Sequence, residues 1–158
     1  MIVDGHNLIP HLPGLSLGDI DDEGQLIRIL QEYARVRRKK IEVYFDQAPT
    51  ASAGVRKLGL VQAHFIRSGT TADEAIMARL RSLGKRAKNA QVVSSDRQVQ
   101  QAARAHHAGV ISSSEFAADW LALMEDEPGL DPRDRLLTDK EVEAWERLFR
   151  QGHPPAED

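Results

Sequence analysis

The sequence predicts an α/β protein: a three-layer fold with a mostly parallel central sheet of about four to five strands flanked by helices. Two observations predict it. Short β-rich runs, among them IVD, IEVYFD and QVVS, recur along the chain. Between them lie segments whose apolar residues repeat every three or four positions. Strands that alternate with helices need crossover connections, and crossovers lay helices on both faces of a parallel sheet.

Residues 1–4 form the first predicted strand and 41–46 the second. Between them, 21–40 reads as a helix, with Leu26, Ile29, Leu30, Tyr33 and Ala34 on its inner face. Residues 47–56, with Pro49 and Gly54, read as a loop, and 58–66 as a third strand. A helix over 71–83 would bury Ala75, Ile76, Leu80 and Leu83. A strand at 91–94 precedes a helix at 96–107, and a short strand at 110–112 precedes a helix at 113–124 that turns Phe116, Trp120, Leu121 and Met124 inward. Pro128 and Pro132 bracket a linker, and 138–150 reads as a last helix. The expected organisation is one domain over 1–125, with 126–158 a linker and an acidic C-terminal helix packed on it or trailing from it.

With 158 residues the chain can bury a proper core. It has no cysteine, which excludes disulfides and thiolate metal sites and fits a reducing compartment. No signal peptide and no apolar run of about 20 residues is visible, so the expectation is a cytoplasmic protein with no membrane partner. The net charge of −3 is unevenly spread. Residues 1–114 carry 16 Lys/Arg and 11 Asp/Glu (16 − 11 = +5), and residues 115–158 carry 5 and 13 (5 − 13 = −8). A basic body points to an anionic partner.

In open parallel sheets, ligands bind beyond the carboxyl ends of the strands. Asp4 ends the first strand, Asp46 ends IEVYFD, Asp96 follows VVSS, and Asp73 and Glu74 open the helix after SGTT. Parallel strands would gather these acids at one edge. Carboxylates held together repel, and a cation lets them stay ionised side by side. An oxygen-only set suits Mg²⁺ or Mn²⁺, as one ion or as a pair, the hard ions of phosphodiester hydrolysis. Asn7 would add a neutral oxygen or hold Asp4.

Each acid also has a local explanation. Thr71 to Glu74 and Ser95 to Gln98 match capping boxes, and the helix dipole favours Asp in a first turn. Asp46 precedes a turn-like QAP. Asp4 is followed by Gly-His-Asn with Pro10 and Pro13 close behind, which marks no obvious helix start. The coincidence of four positions at one edge favours a shared task. Thr71 and Ser95 are expected to cap their helices and so aim Asp73 and Asp96. Ser94 is a weaker candidate for contact with ligand or phosphate.

The basic runs 35–40 and 79–88 close helices and should lie at the opposite, amino-terminal side of the sheet. Arg56, Lys57, Arg67 and Arg97 are expected nearer the acids and are the better candidates for gripping phosphates. Aromatic residues make up only 5%, so stacking cannot dominate binding. His6 and His11 read as loop histidines before they read as ligands or bases. No nucleophile elbow, P-loop or dinucleotide fingerprint is present.

The segments IVDGHNLI, VYFDQAP, SGTTADEAI, VVSSDRQVQ and GVISSSEFA, in this order, resemble the YacP-like NYN domains of the PIN-like nuclease group. The similarity spans roughly 1–122. It implies a Rossmann-like PIN fold, RNA as partner (alone or in a ribosome), and a Mg²⁺- or Mn²⁺-dependent endoribonuclease leaving 5′-phosphate and 3′-hydroxyl ends. Its pattern carries over to Asp4, Asn7, Asp46, Asp73 and Asp96. Relatives often have Tyr where His6 stands, which removes a stacking ring here. The expected ligand core is Asp4, Asp73 and Asp96, with Asp46, Asn7 and Glu74 in support. No oligomeric state follows. The main rival is an RNA- or ribosome-binding module with a weak or silent site. A phospho-receiver domain lacks its Lys after the last strand, and an Asp-dependent phosphatase would need D-x-D where the chain has Asp4-Gly-His6.

Overall fold

A computed structural model describes residues 1–18 and 21–126. The elements run β1 (Ile2–Asp4), α1 (Gly5–Leu8), α2 (Asp22–Arg37), β2 (Ile41–Ala48), β3 (Gly54–Leu58), β4 (Val61–Arg67), α3 (Ala72–Leu83), β5 (Gln91–Val93), α4 (Arg97–Ala105), β6 (Gly109–Ile111) and α5 (Ser113–Asp126). The six strands lie in the order β3-β4-β2-β1-β5-β6. All neighbours are parallel except β3, which pairs antiparallel with β4.

Side-chain alternation divides the core in two. Val3, Val43, Phe45, Ala63, Phe65 and Val93 face α2 and α5, where Leu26, Ile29, Leu30, Phe116 and Trp120 are buried. Ile2, Tyr44 and Val92 face α3 and α4, where Ile76, Leu80, Val99 and Ala103 are buried. The result is the expected helix–sheet–helix sandwich. By the same alternation, Asp4, Asp46 and Ser94 continue the face that carries Ile2, Tyr44 and Val92.

The sheet has six strands, one more than the upper expectation. Residues 54–58, expected as loop and strand edge, form β3, and the run expected as one strand over 58–66 is a hairpin turning at Gly59-Leu60. Gly59 has φ +65°, which its lack of a Cβ permits. The GVRKL strand lies at the sheet edge with little burial, so it lacks the apolar alternation that reveals inner strands. Asp4 does precede a helical turn: α1 starts at once, and Pro10 falls in the first turn of a 3-10 segment (Ile9–His11), where a missing N–H is harmless. The linker and helix expected after Pro128 lie outside the described residues.

Candidate active site

The chain enters the sheet at β1, builds outward through β2 to one side, and returns through α3 to β5 on the other. The strand order therefore reverses at β1, and a crevice opens beyond the carboxyl ends of β1, β2 and β5. Every helix that follows one of these strands begins at that crevice.

Asp4 sits at its floor, only 5% exposed. Its carboxylate is not used as a helix cap. Oδ2 accepts a hydrogen bond from the Ser94 hydroxyl at 3.1 Å, and the Ser94 oxygen accepts one from the Asp96 N–H at 3.0 Å. One buried hydroxyl thus couples two acids from different strand ends. Burial pushes the Asp4 pKa up to about 6, with Asp73, Asp46 and Asp96 adding repulsion and the Ser94 bond working against them.

Asp73 lies in the first turn of α3. Its pKa is raised by burial and by the charges of Asp96, Asp46 and Glu74. Glu74 is fixed in a capping box: Thr71 Oγ1 accepts from its N–H at 3.1 Å, and its Oε2 accepts from the Thr71 N–H at 3.4 Å. That bond gives Glu74 a structural task and leaves Asp73 as the free acid of the turn. Asp96 is itself the cap of α4, Oδ1 accepting from the Gln98 and Val99 N–H groups at 2.8 and 3.2 Å. Ser95, expected as that cap, instead accepts from the Ser113 N–H at 3.0 Å and braces α5.

Asp46 stands at an irregularity in β2, where Gln47 has φ +59° and the register with β4 shifts. Its Oδ2 accepts from the Ala72 N–H at 3.4 Å, and its Oδ1 lies 3.0 Å from His6 Nδ1. The other ring nitrogen of His6 lies 2.9 Å from Glu23 Oε2. Hydrogen bonding to Glu23, outweighing desolvation, and the Asp46 bond lift the His6 pKa to about 9. Both ring nitrogens of His6 are thus engaged by carboxylates, which favours the protonated ring. Glu23 escaped the sequence reading. It lies in the first turn of α2, the crossover helix between β1 and β2, so the topology that located Asp73 and Asp96 also locates Glu23.

Asn7 neither holds Asp4 nor offers a free oxygen. Its Oδ1 accepts from the Ser95 N–H at 2.8 Å and from the Ser113 hydroxyl at 2.7 Å, tying α1 to the β5–α4 turn and to α5. Gly5 is required by contact: a Cβ there would lie 2.4 Å from Phe45 Cε1 and 2.9 Å from the Tyr44 carbonyl oxygen. Of the basic candidates, Arg67 ends β4 and Arg97 begins α4, both on the acid edge. Arg56 lies mid-strand opposite Ala63, and Lys57 opposite Gln62, toward the start of β4 and away from the acids. Those two fell short of the expectation because 54–58 is a strand running back down the sheet.

Asp4, Asp73 and Asp96 form a like-charged group, and none of the three has a cationic side-chain partner among the described residues. As the side chains stand, no three His, Asp or Glu among the described residues are grouped to ligate one ion. The donor chemistry still fits a hard divalent cation: all-oxygen, anionic, and at the crevice mouth.

A mostly parallel sheet with this switch point and its strand-end acids defines an α/β domain with a candidate site at the carboxyl edge. The model of the YacP-like NYN domain, a PIN-like, nuclease-type domain, matches residues 1–150, and the chain belongs to that family. Among solved structures it is similar to crystal-structure Rae1 (YacP) from Bacillus subtilis, with 22% identity and a TM-score of 0.64 over 99% of this chain and 97% of that one. A tryptophan-to-leucine mutant of the same protein matches at 20% identity and a TM-score of 0.62, over 92% and 97%. No curated protein sequence matches the chain.

Proposed function

We propose that the chain is a divalent-metal-dependent endoribonuclease that hydrolyses RNA phosphodiester bonds. The observation that carries this is the uncompensated charge of Asp4, Asp73 and Asp96 at the switch point, with Asp4 pushed up to about 6 by burial and its acidic neighbours. Asp4, Asp73 and Asp96 would hold Mg²⁺ or Mn²⁺. Such an ion, when bound, supplies an activated water and offsets charge on the departing oxygen.

The protein's own residues do the positioning. Ser94 sets the rotamers of Asp4 and the turn before Asp96. The α4 N-terminus holds Oδ1 of Asp96 through the Gln98 and Val99 N–H groups. His6 pairs with Asp46 and Glu23 and offsets part of their charge beside the crevice. Arg67 and Arg97, on the rim, are placed to meet phosphates flanking the cleaved bond.

The test is cleavage of end-labelled RNA in Mn²⁺ or Mg²⁺ by wild type, Asp4→Asn and Asp96→Asn purified in parallel. Loss of about 100-fold or more in both variants, and in wild type with EDTA, is expected, with 5′-phosphate product ends. Equal cleavage by all three proteins would end the nuclease reading and leave an RNA-binding module.

A further inference from the structure

The other end of the sheet carries a second feature. Lys39, Lys40 and Lys88 converge on an open recess of about 670 Å³ that also takes in Gln91 at the start of β5. Lys40 and Lys57 border a neighbouring recess of about 280 Å³ beside the β3–β4 turn. Lys40 lines both, so the two hollows lie on either side of one lysine along the amino-terminal edge.

The lysines come from three separate parts of the chain: the α2–β2 connection, the β3 strand, and the 3-10 helix before β5. Helix-end electrostatics explains cations in the last turn of a helix, but Lys40 lies beyond the α2 cap and Lys57 is on a strand. Lys40, Lys57 and Lys88 are exposed, and none forms an ion pair among the described residues. Lys39 is held by Gln91 Oε1 at 3.0 Å, which points its ammonium into the larger recess. The carboxylate that lines the smaller recess, Glu42, is already occupied by Arg79 at 2.9 Å.

We infer that this lysine track binds the phosphate backbone of RNA, as a second contact surface separate from the acidic crevice. An enclosed pocket for a small anion would bury its cations. An open row of exposed ones, spread over two neighbouring hollows, suits a chain of phosphates read by charge alone. From Ile41 to Asp46 the β2 strand advances about 17 Å at roughly 3.3 Å per residue. The track and the acids therefore contact different stretches of one RNA. The inference rests on the ribonuclease reading only for the identity of the polyanion.

The experiment measures binding of a fluorescein-labelled 20-nucleotide RNA of mixed sequence by anisotropy, in EDTA, over a salt series. Wild type is compared with Lys40→Gln/Lys88→Gln and with Arg104→Gln, an exposed cation outside the track. The double variant should melt like wild type, bind about tenfold more weakly, and lose about 1.4 from its log–log salt slope, at about 0.7 per charge on a single strand. Arg104→Gln should bind like wild type. An unchanged Kd and slope in the double variant would overturn the inference, as would preference for polyglutamate over the RNA. Cleavage of the same RNA in Mn²⁺ by wild type and the lysine variant separates the two readings. Cleavage by wild type with unaltered binding by the lysine variant sinks only the track, whereas lysine-dependent binding without any cleavage sinks only the nuclease.

Discussion

The His6 clamp makes a prediction with a definite sign. A pKa of about 9 in the folded chain, against 6.5 for an ordinary histidine, corresponds to about 3 kcal/mol of preferential stabilisation of the charged ring. His6 and Asp46 are 30% and 28% exposed, so solvent screening reduces this to about 2 kcal/mol. Because the folded pKa is raised, the contribution is complete below pH 6.5 and is lost as pH rises through 9. His6→Gln keeps a polar side chain but no charge. Denaturant unfolding in EDTA should show the variant about 2 kcal/mol less stable than wild type at pH 6.5. The gap should close to a few tenths of a kcal/mol at pH 10. Groups that titrate in both proteins, Asp4 among them, cancel in the difference. A gap that stays constant from pH 6 to pH 10 would refute the charged clamp and reduce His6 to a neutral hydrogen-bonding residue.

Asp4→Asn should stabilise the metal-free protein by about 2 kcal/mol at pH 7.5, since a carboxyl pushed up to about 6 is ionised there at a cost; a thermal melt in EDTA reads this. Mn²⁺ at about 100 times its Kd should add about 2.7 kcal/mol to wild type, or about 5–10 °C in Tm, and add little to that variant. Gly5→Ala should cost about 2–3 kcal/mol, because the Tyr44 carbonyl that its methyl would strike is part of the sheet; an unchanged denaturation midpoint would contradict this. Asn7→Ala leaves the Ser95 N–H and the Ser113 hydroxyl without their acceptor and should cost about 2 kcal/mol, with kcat falling further than KM changes.

The sheet and the paired helix layers were legible because inner strands and helix faces carry strong periodic signals. The edge strand β3 was hidden, since a strand with water on both sides has no apolar alternation to display. The position of Lys57 was misjudged for the same reason: once 54–58 is a strand running antiparallel to β4, its residues descend toward the far edge. Charge pairings were less readable than positions. Nothing in the sequence says that His6 will bridge Glu23 and Asp46, because 17 and 40 residues separate it from them and only the folded crossover sets them side by side. The capping roles turned on one residue. Ser95 and Asp96 are both good caps, and the Ser113 N–H, which takes Ser95 as its acceptor, leaves Asp96 to cap the helix.

The DGHN stretch that follows the first strand resolves into four separate physical requirements. Asp4 supplies charge at the crevice floor. Gly5 lets the chain turn against Phe45 and the β2 backbone, where any side chain would collide. His6 carries the positive charge for Asp46 and Glu23. Asn7 locks the turn to the elements that present Ser94 and Asp96. The third of these divides the acids into two groups. Asp46 and Glu23 share one cationic partner, His6. Glu74 is likewise absorbed by its capping box. Asp4, Asp73 and Asp96 have no cationic side-chain partner among the described residues. That division singles out Asp4, Asp73 and Asp96 as the acids on which the proposed ion-binding role would rest.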